Sequence, residues 1–150
     1  MADRRQPDLL DWRPPAPVER FEDGAVRAAT ITGRLSRAVG ASLREHTLTR
    51  PEIARRMAEY LGRPVSVNML NAWASQERAD QTIGADRLVA LIHATGDRRL
   101  LEAIAELFGW TVIPKKFLPL IDLASVRERE DELRRHADAL RRQAKGSGLL

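Results

Sequence analysis

Apolar positions recur every three to four residues over most of this chain, a spacing that predicts helices rather than strands. Five such stretches fall between about residues 24 and 108. The first runs from about Gly24 to Leu43, with Ile31, Leu35, Ala38 and Ser42 in one stripe and Val39 and Leu43 beside it. Gly33 and Gly40 weaken it by ~1 kcal/mol each relative to Ala, and mark either close helix packing or a break. The second has a full start signal. Thr49 and Glu52 have the spacing of a capping box, Leu48 and Ile53 that of a hydrophobic staple, and Pro51 falls in the first turn. Ile53, Ala54, Met57, Tyr60 and Leu61 then share one face, and Gly62 is placed to stop the helix.

A third helix starts at once, with Ser66 as its cap. Met69, Leu70 and Trp73 point inward; Asn68, Asn71, Ser75 and Gln76 point largely outward. The turn before it, Gly62 to Val65 with the Ser66 cap, is longer than the three to four residues usual between two helices of this kind. After a polar loop carrying Glu77, Arg78 and Asp80, a fourth helix spans Ile83–Ala94, with Leu88, Val89, Leu91 and Ile92 apolar and Gly96 as its stop. Asp97 caps a fifth, Arg98–Phe108, expected to bury Leu100, Leu101, Ile104, Leu107 and Phe108 before Gly109 ends it. Trp110–Ile113 is β-branched and aromatic and reads as an extended strap or edge strand.

The pattern changes at the end of the chain. From about Asp122 to Lys145 a highly charged helix carries Leu123, Val126, Glu130, Leu133, Ala137 and Leu140 at alternating spacings of three and four. That is the a/d seam of a short coiled coil, with a carboxylate inside it. The expected fold is therefore all-α: a compact helical bundle with a central helix-turn-helix, plus a long C-terminal helix. Its parts are a Pro-rich flexible arm over 1–23, a helical domain over 24–113, a linker over 114–121, an oligomerisation helix over 122–145 and a disordered tail over 146–150. In the arm, Trp12 and Phe21 either pack onto the domain as a strap or stay free.

Composition narrows the function classes. The net charge of +4 permits a polyanionic partner without demanding one. Cysteine is absent, so disulfides and thiolate metal sites are excluded. No apolar run approaches the ~20 residues that cross a bilayer, and the N-terminus has no signal-peptide core, which leads to the expectation of a soluble cytoplasmic protein with no membrane partner. His46, His93 and His136 fall in different elements and have no metal-ligand spacing. Glu102 and Glu106 read as a routine surface pair. No P-loop, dinucleotide glycine pattern or nucleophile elbow is present. The expectation is a protein that is not an enzyme and holds no cofactor or metal. The arginines at 27, 34, 37 and 44, and those at 134, 135, 141 and 142, read as solvated helix surface.

The segment from Pro51 to Trp110 resembles the phage regulatory proteins of the CII type and related repressor-like helix-turn-helix regulators. The resemblance rests on IARRMAEYLG, on Leu70–Trp73 and on the ATGD tract at Ala94–Asp97. It implies a sequence-specific transcriptional regulator of phage or prophage origin, whose second motif helix enters the major groove of double-stranded DNA. Carried over, Ser66, Asn68, Asn71, Ser75 and Gln76 become the candidate base contacts. Asn and Gln suit that role because their amides can bond both N6 and N7 of adenine. Arg50, Arg55, Arg56 and Arg63 are the expected phosphate contacts. One such helix covers few base pairs, so self-association to a homodimer or homotetramer is expected through Leu123, Val126, Leu133, Ala137 and Leu140. Another regulatory protein is a further possible partner. The alternative is a helical protein–protein interaction module on the same scaffold, without direct DNA binding. Glu77, Asp80 and the moderate charge favour it.

Overall fold

The structure is a computed structural model that describes residues 18–148. Those residues form seven α-helices, three single 3-10 turns and no strand. The described residues up to Val112 make one compact unit, and those from Ile113 onward make a second. Among them no helix is long and apolar enough to cross a membrane.

In the first unit the helices are α1 (Asp23–Val26), α2 (Ile31–Glu45), α3 (Arg50–Leu61), α4 (Val67–Trp73), α5 (Ala85–Thr95) and α6 (Arg99–Ala105). The single helix expected from Gly24 to Leu43 is split. Thr30 takes an extended conformation and its hydroxyl accepts the Gly33 N–H at 3.0 Å, so a fresh helix starts at Ile31. This also removes Ile31 from the core: it is 72% exposed, and α2 buries Ala38, Val39, Ala41, Ser42 and Leu43 instead.

The local signals at α3 act as their spacing predicts. The Thr49 N–H and hydroxyl both donate to the Glu52 carboxylate, at 2.7 and 2.6 Å. Those bonds, the hydroxyl's first, hold the Glu52 carboxyl below its usual range. Gly62, Gly96 and Gly109 each end a helical segment with φ near +70°, a left-handed conformation that costs other residues about 1 kcal/mol.

The core lies where α3 packs on α5 and α2 on α6, with α4 laid against α2 and α3. Val39, Ile53, Met57, Leu70, Leu91 and Leu100 are fully enclosed. Of the five residues expected inside the last helix, only Leu100 is buried. Leu107 and Phe108 are exposed because α6 tightens into a 3-10 turn at Glu106–Phe108, which rotates its final side chains off the helical stripe, and Leu101, earlier in α6, lies off the side that buries Leu100 and Ala103. Leu107 and Phe108 line an open apolar recess with Ile31, Leu35, Ala103 and Ile104.

Two expectations about acids and straps change together. Glu102 is not a surface residue: it is 3% exposed, and its carboxylate accepts the Thr111 hydroxyl at 2.8 Å and the Val112 N–H at 2.6 Å. Residues 110–113 therefore form no strand; they are tied down by a side chain in place of a sheet neighbour. Glu106 instead pairs with Arg34 at 3.0 Å. His46 is likewise structural, accepting the Leu48 N–H on Nδ1 at 2.9 Å and facing the Thr95 carbonyl with Nε2 at 3.0 Å. Phe21 is buried beneath the Arg99 guanidinium, 4.3 Å from its ring centroid. Trp12 and the rest of the proposed arm up to residue 17 lie outside the described residues, as do the last two residues of the tail.

The second unit is one 3-10 turn, Lys115–Phe117, followed by α7 (Leu118–Gly146). Helix thus begins inside the stretch expected to be a linker over 114–121. Pro119 does not prevent this, because it sits in the first turn, where the backbone N–H has no intrahelical acceptor. No residue of α7 is buried.

Candidate nucleic-acid interface

α4 is held on one side and open on the other. Ser66 starts it, its hydroxyl accepting the Met69 N–H at 3.2 Å. Leu70 and Trp73 are buried, Trp73 at 3% exposure with the Arg87 guanidinium 5.2 Å from its ring centroid. Met69 is half-buried against the core. The inner side therefore fixes the helix, and the outer side has no packing role.

Asn68 and Asn71 lie three residues apart in one row along that outer side, and Ser75 follows two residues past the end of the helix. They line a shallow recess with Glu77 and Arg78. Asn68 and Asn71 are exposed and Ser75 is partly so. The Arg50 guanidinium donates to the Asn71 side-chain oxygen. That oxygen has a second lone pair and the amide nitrogen keeps two donors, so Asn71 retains what a bidentate base contact requires. Gln76 leaves the row and turns toward α2, where its amide lies 3.4 Å from the Gly33 carbonyl.

Of the four expected phosphate contacts, only Arg50 is brought to the α4 row. Arg55 pairs with Glu59 at 2.6 Å on the exposed side of α3, and Arg63 pairs with Asp86. Arg56 reaches the Ala94 carbonyl at 3.4 Å and lines a separate recess with Tyr60 and His93. Tyr60 is itself half exposed and stacked on His93, with ring centroids 4.1 Å apart.

Arg37 and Arg44 join the surface instead. Both line a second recess with Ala74, Ser75, Gln76 and Glu77. The two recesses share Ser75 and Glu77, so the α4 row and the α2 arginines form one surface. Arg37, Arg44 and Arg78 have no ion-pair partner among the described residues, whereas Arg34, from the same helix as Arg37, is committed to Glu106. The signal was present in the sequence: Arg37 and Arg44 are seven residues apart, two turns along one side of α2. Gly40 lies between them where α2 approaches α4, and an added Cβ there would stand in ordinary contact, 3.5 Å from the Ala74 carbonyl oxygen.

No family model, curated protein or solved structure matches the chain. Among the described residues no cluster of His, Asp and Glu could hold a metal ion. What the surface offers chemically is a set of amide and hydroxyl groups beside unpaired guanidinium groups, with one carboxylate, Glu77, between them.

Proposed function

We propose that the chain is a sequence-specific DNA-binding regulator of the helix-turn-helix kind, with α3 and α4 as the motif and the outer side of α4 entering the major groove. The carrying observation is the pairing of opposite demands on one short helix. Leu70 and Trp73 anchor it, while Asn68 and Asn71 stand exposed, Asn71 meeting only the surface guanidinium of Arg50. Asn68, Asn71 and Ser75 then read base edges over about three base pairs, the span of a seven-residue helix. Arg37 and Arg44, with Arg50 and Arg78, hold the flanking phosphates and set the register without carrying sequence information. The long turn between α3 and α4 is accommodated by Gly62 and Pro64 before the Ser66 cap. The resemblance to CII-type and repressor-like regulators points the same way.

Selection of bound sites from random duplexes, followed by gel shifts on the enriched site, tests this. Asn71→Ala is expected to lose ~1–3 kcal/mol of discrimination between the selected site and its variants. The pair Arg37→Ala and Arg44→Ala is expected to weaken all duplexes alike and to lower the salt slope by about two. If no site is enriched and low-salt retention on random duplex is absent, the surface is not a DNA interface.

A further inference from the structure

The seam of α7 has a charge arrangement that α7 itself does not complement. With Leu123, Glu130 and Ala137 at a and Val126, Leu133 and Leu140 at d, the flanking e and g positions from residue 127 onward are Arg127, Arg129, Arg134, His136, Arg141 and Gln143. None is acidic. The acids of this stretch lie on the back of the helix, as Glu128, Asp131, Glu132 and Asp138, or in the seam, as Glu130. Arg141 has an exposed pair with Asp138 at 3.3 Å; Arg127, Arg129 and Arg134 have no ion-pair partner among the described residues. The apolar seam residues are about half exposed, Leu133 most of all at 62%.

Self-pairing places these flanks against each other. In a parallel pair each g residue meets the e residue of the next heptad: Asp122 faces Arg127 at the N-terminal end, but from there on Arg129 faces Arg134, His136 faces Arg141 and Glu130 faces its own copy. In an antiparallel pair e meets e and g meets g, which again opposes arginines. Like charges so placed disfavour a complex. A bare polyanion fits no better, because α7 carries six acidic residues against seven basic ones and interrupts its own seam with Glu130.

We propose that the seam of α7 docks a helix of another protein, one with a heptad-spaced apolar stripe flanked by Glu and Asp and with a Lys or Arg opposite Glu130. The apolar contact extends over ~25 Å, from Leu123 to Leu140. Glu130 sets the register, as a single polar residue at an a position does. The flanking arginines choose the partner.

The test uses the full chain and two synthetic peptides in a fluorescence anisotropy titration. Both peptides carry Leu at a and d with one Lys placed to face Glu130; one has Glu at every e and g position, the other Lys. The Glu-flanked peptide is expected to bind tighter by on the order of tenfold or more, with the preference shrinking as salt rises. The triple variant Arg127→Glu, Arg134→Glu, Arg141→Glu is expected to reverse the order at unchanged circular dichroism. Equal binding of the two peptides overturns the proposal. So does light scattering that shows the unmodified chain as a dimer at low and high salt and Leu133→Asp as a monomer, since the seam then serves a second copy. Retention on duplex DNA or on anionic vesicles that the triple variant loses also overturns it. The α4 surface is untouched in that variant, so site selection reads the DNA proposal separately.

Discussion

Replacing Trp73 with Ala removes the anchor that leaves the other side of α4 free. Trp73 is 3% exposed and sits beneath the Arg87 guanidinium, 5.2 Å from the ring centroid. A buried indole removes ~200 Å² from water. At ~25 cal/mol per Å² that is worth up to ~5 kcal/mol, an upper figure because an unfolded chain already shields part of it. The stacked guanidinium adds ~0.5–1 kcal/mol. Measured losses for such truncations run ~3–5 kcal/mol. A unit of about 95 residues holds ~5–14 kcal/mol in all, so Trp73→Ala removes from about a fifth of it to nearly all. The melting temperature of the first unit should fall by ~15–25 °C, and urea unfolding followed by far-ultraviolet circular dichroism should give the same free energy. Asn71→Ala, two residues away on the opposite side, serves as the control and should shift stability by less than ~0.5 kcal/mol. A loss below ~1 kcal/mol for Trp73→Ala, or equal losses for the two variants, would mean that α4 is not held from its inner side.

Gly40→Ala should be neutral or stabilising by up to ~1 kcal/mol, because the closest atom to the new Cβ, at 3.1 Å, is the mobile end of Arg44 and the next, at 3.5 Å, is in ordinary contact. Gly40→Leu should cost ~1–3 kcal/mol in the same melts, since its longer side chain runs into Ala74. Burial, which leaves Asp97 only 8% exposed, works to raise its carboxyl pKa, but the Arg99 guanidinium and N–H bound to it at 2.9–3.1 Å prevail and hold it below the usual 3.8. A folded-state pKa below the unfolded one means that this contribution is complete above that usual value and is lost below it, as pH falls through the lower folded-state pKa. Asp97→Asn should therefore flatten the acid limb of the stability curve, measured by urea midpoints across pH 2–5.

Helix existence and most helix ends were legible in this chain because the signals are local. The box at Thr49 and Glu52, the Ser66 cap and the stops at Gly62, Gly96 and Gly109 each depend on a few neighbouring residues, and each acts in the structure as its spacing implies. Which face is buried was legible for α4, where Leu70 and Trp73 are large and the outer residues polar. It was not legible at helix ends. Ile31 and Phe108 look like core residues by type, but the Thr30 cap and the 3-10 turn after Ala105 turn them outward. The partners of charged groups were the least readable. Arg34, Arg37 and Arg44 belong to one arginine-bearing helix, and only the packing of α6 and α4 beside it separates the one bound to Glu106 from the two beside Ser75 and Gln76. Glu102 was misread for the same reason: its bonds to Thr111 and Val112 bridge nine and ten residues, beyond the reach of helical periodicity.

Gly40 lies three residues after Arg37 and four before Arg44, at the place where α2 meets the end of α4. There is room at that place for one methyl group but not for a longer side chain. A side chain longer than alanine at this one position would move Arg37 and Arg44 away from the amide row before it disturbs Asn68 or Asn71. On the DNA reading proposed above, the hold on phosphates and the choice of bases are then set at different codons of one surface.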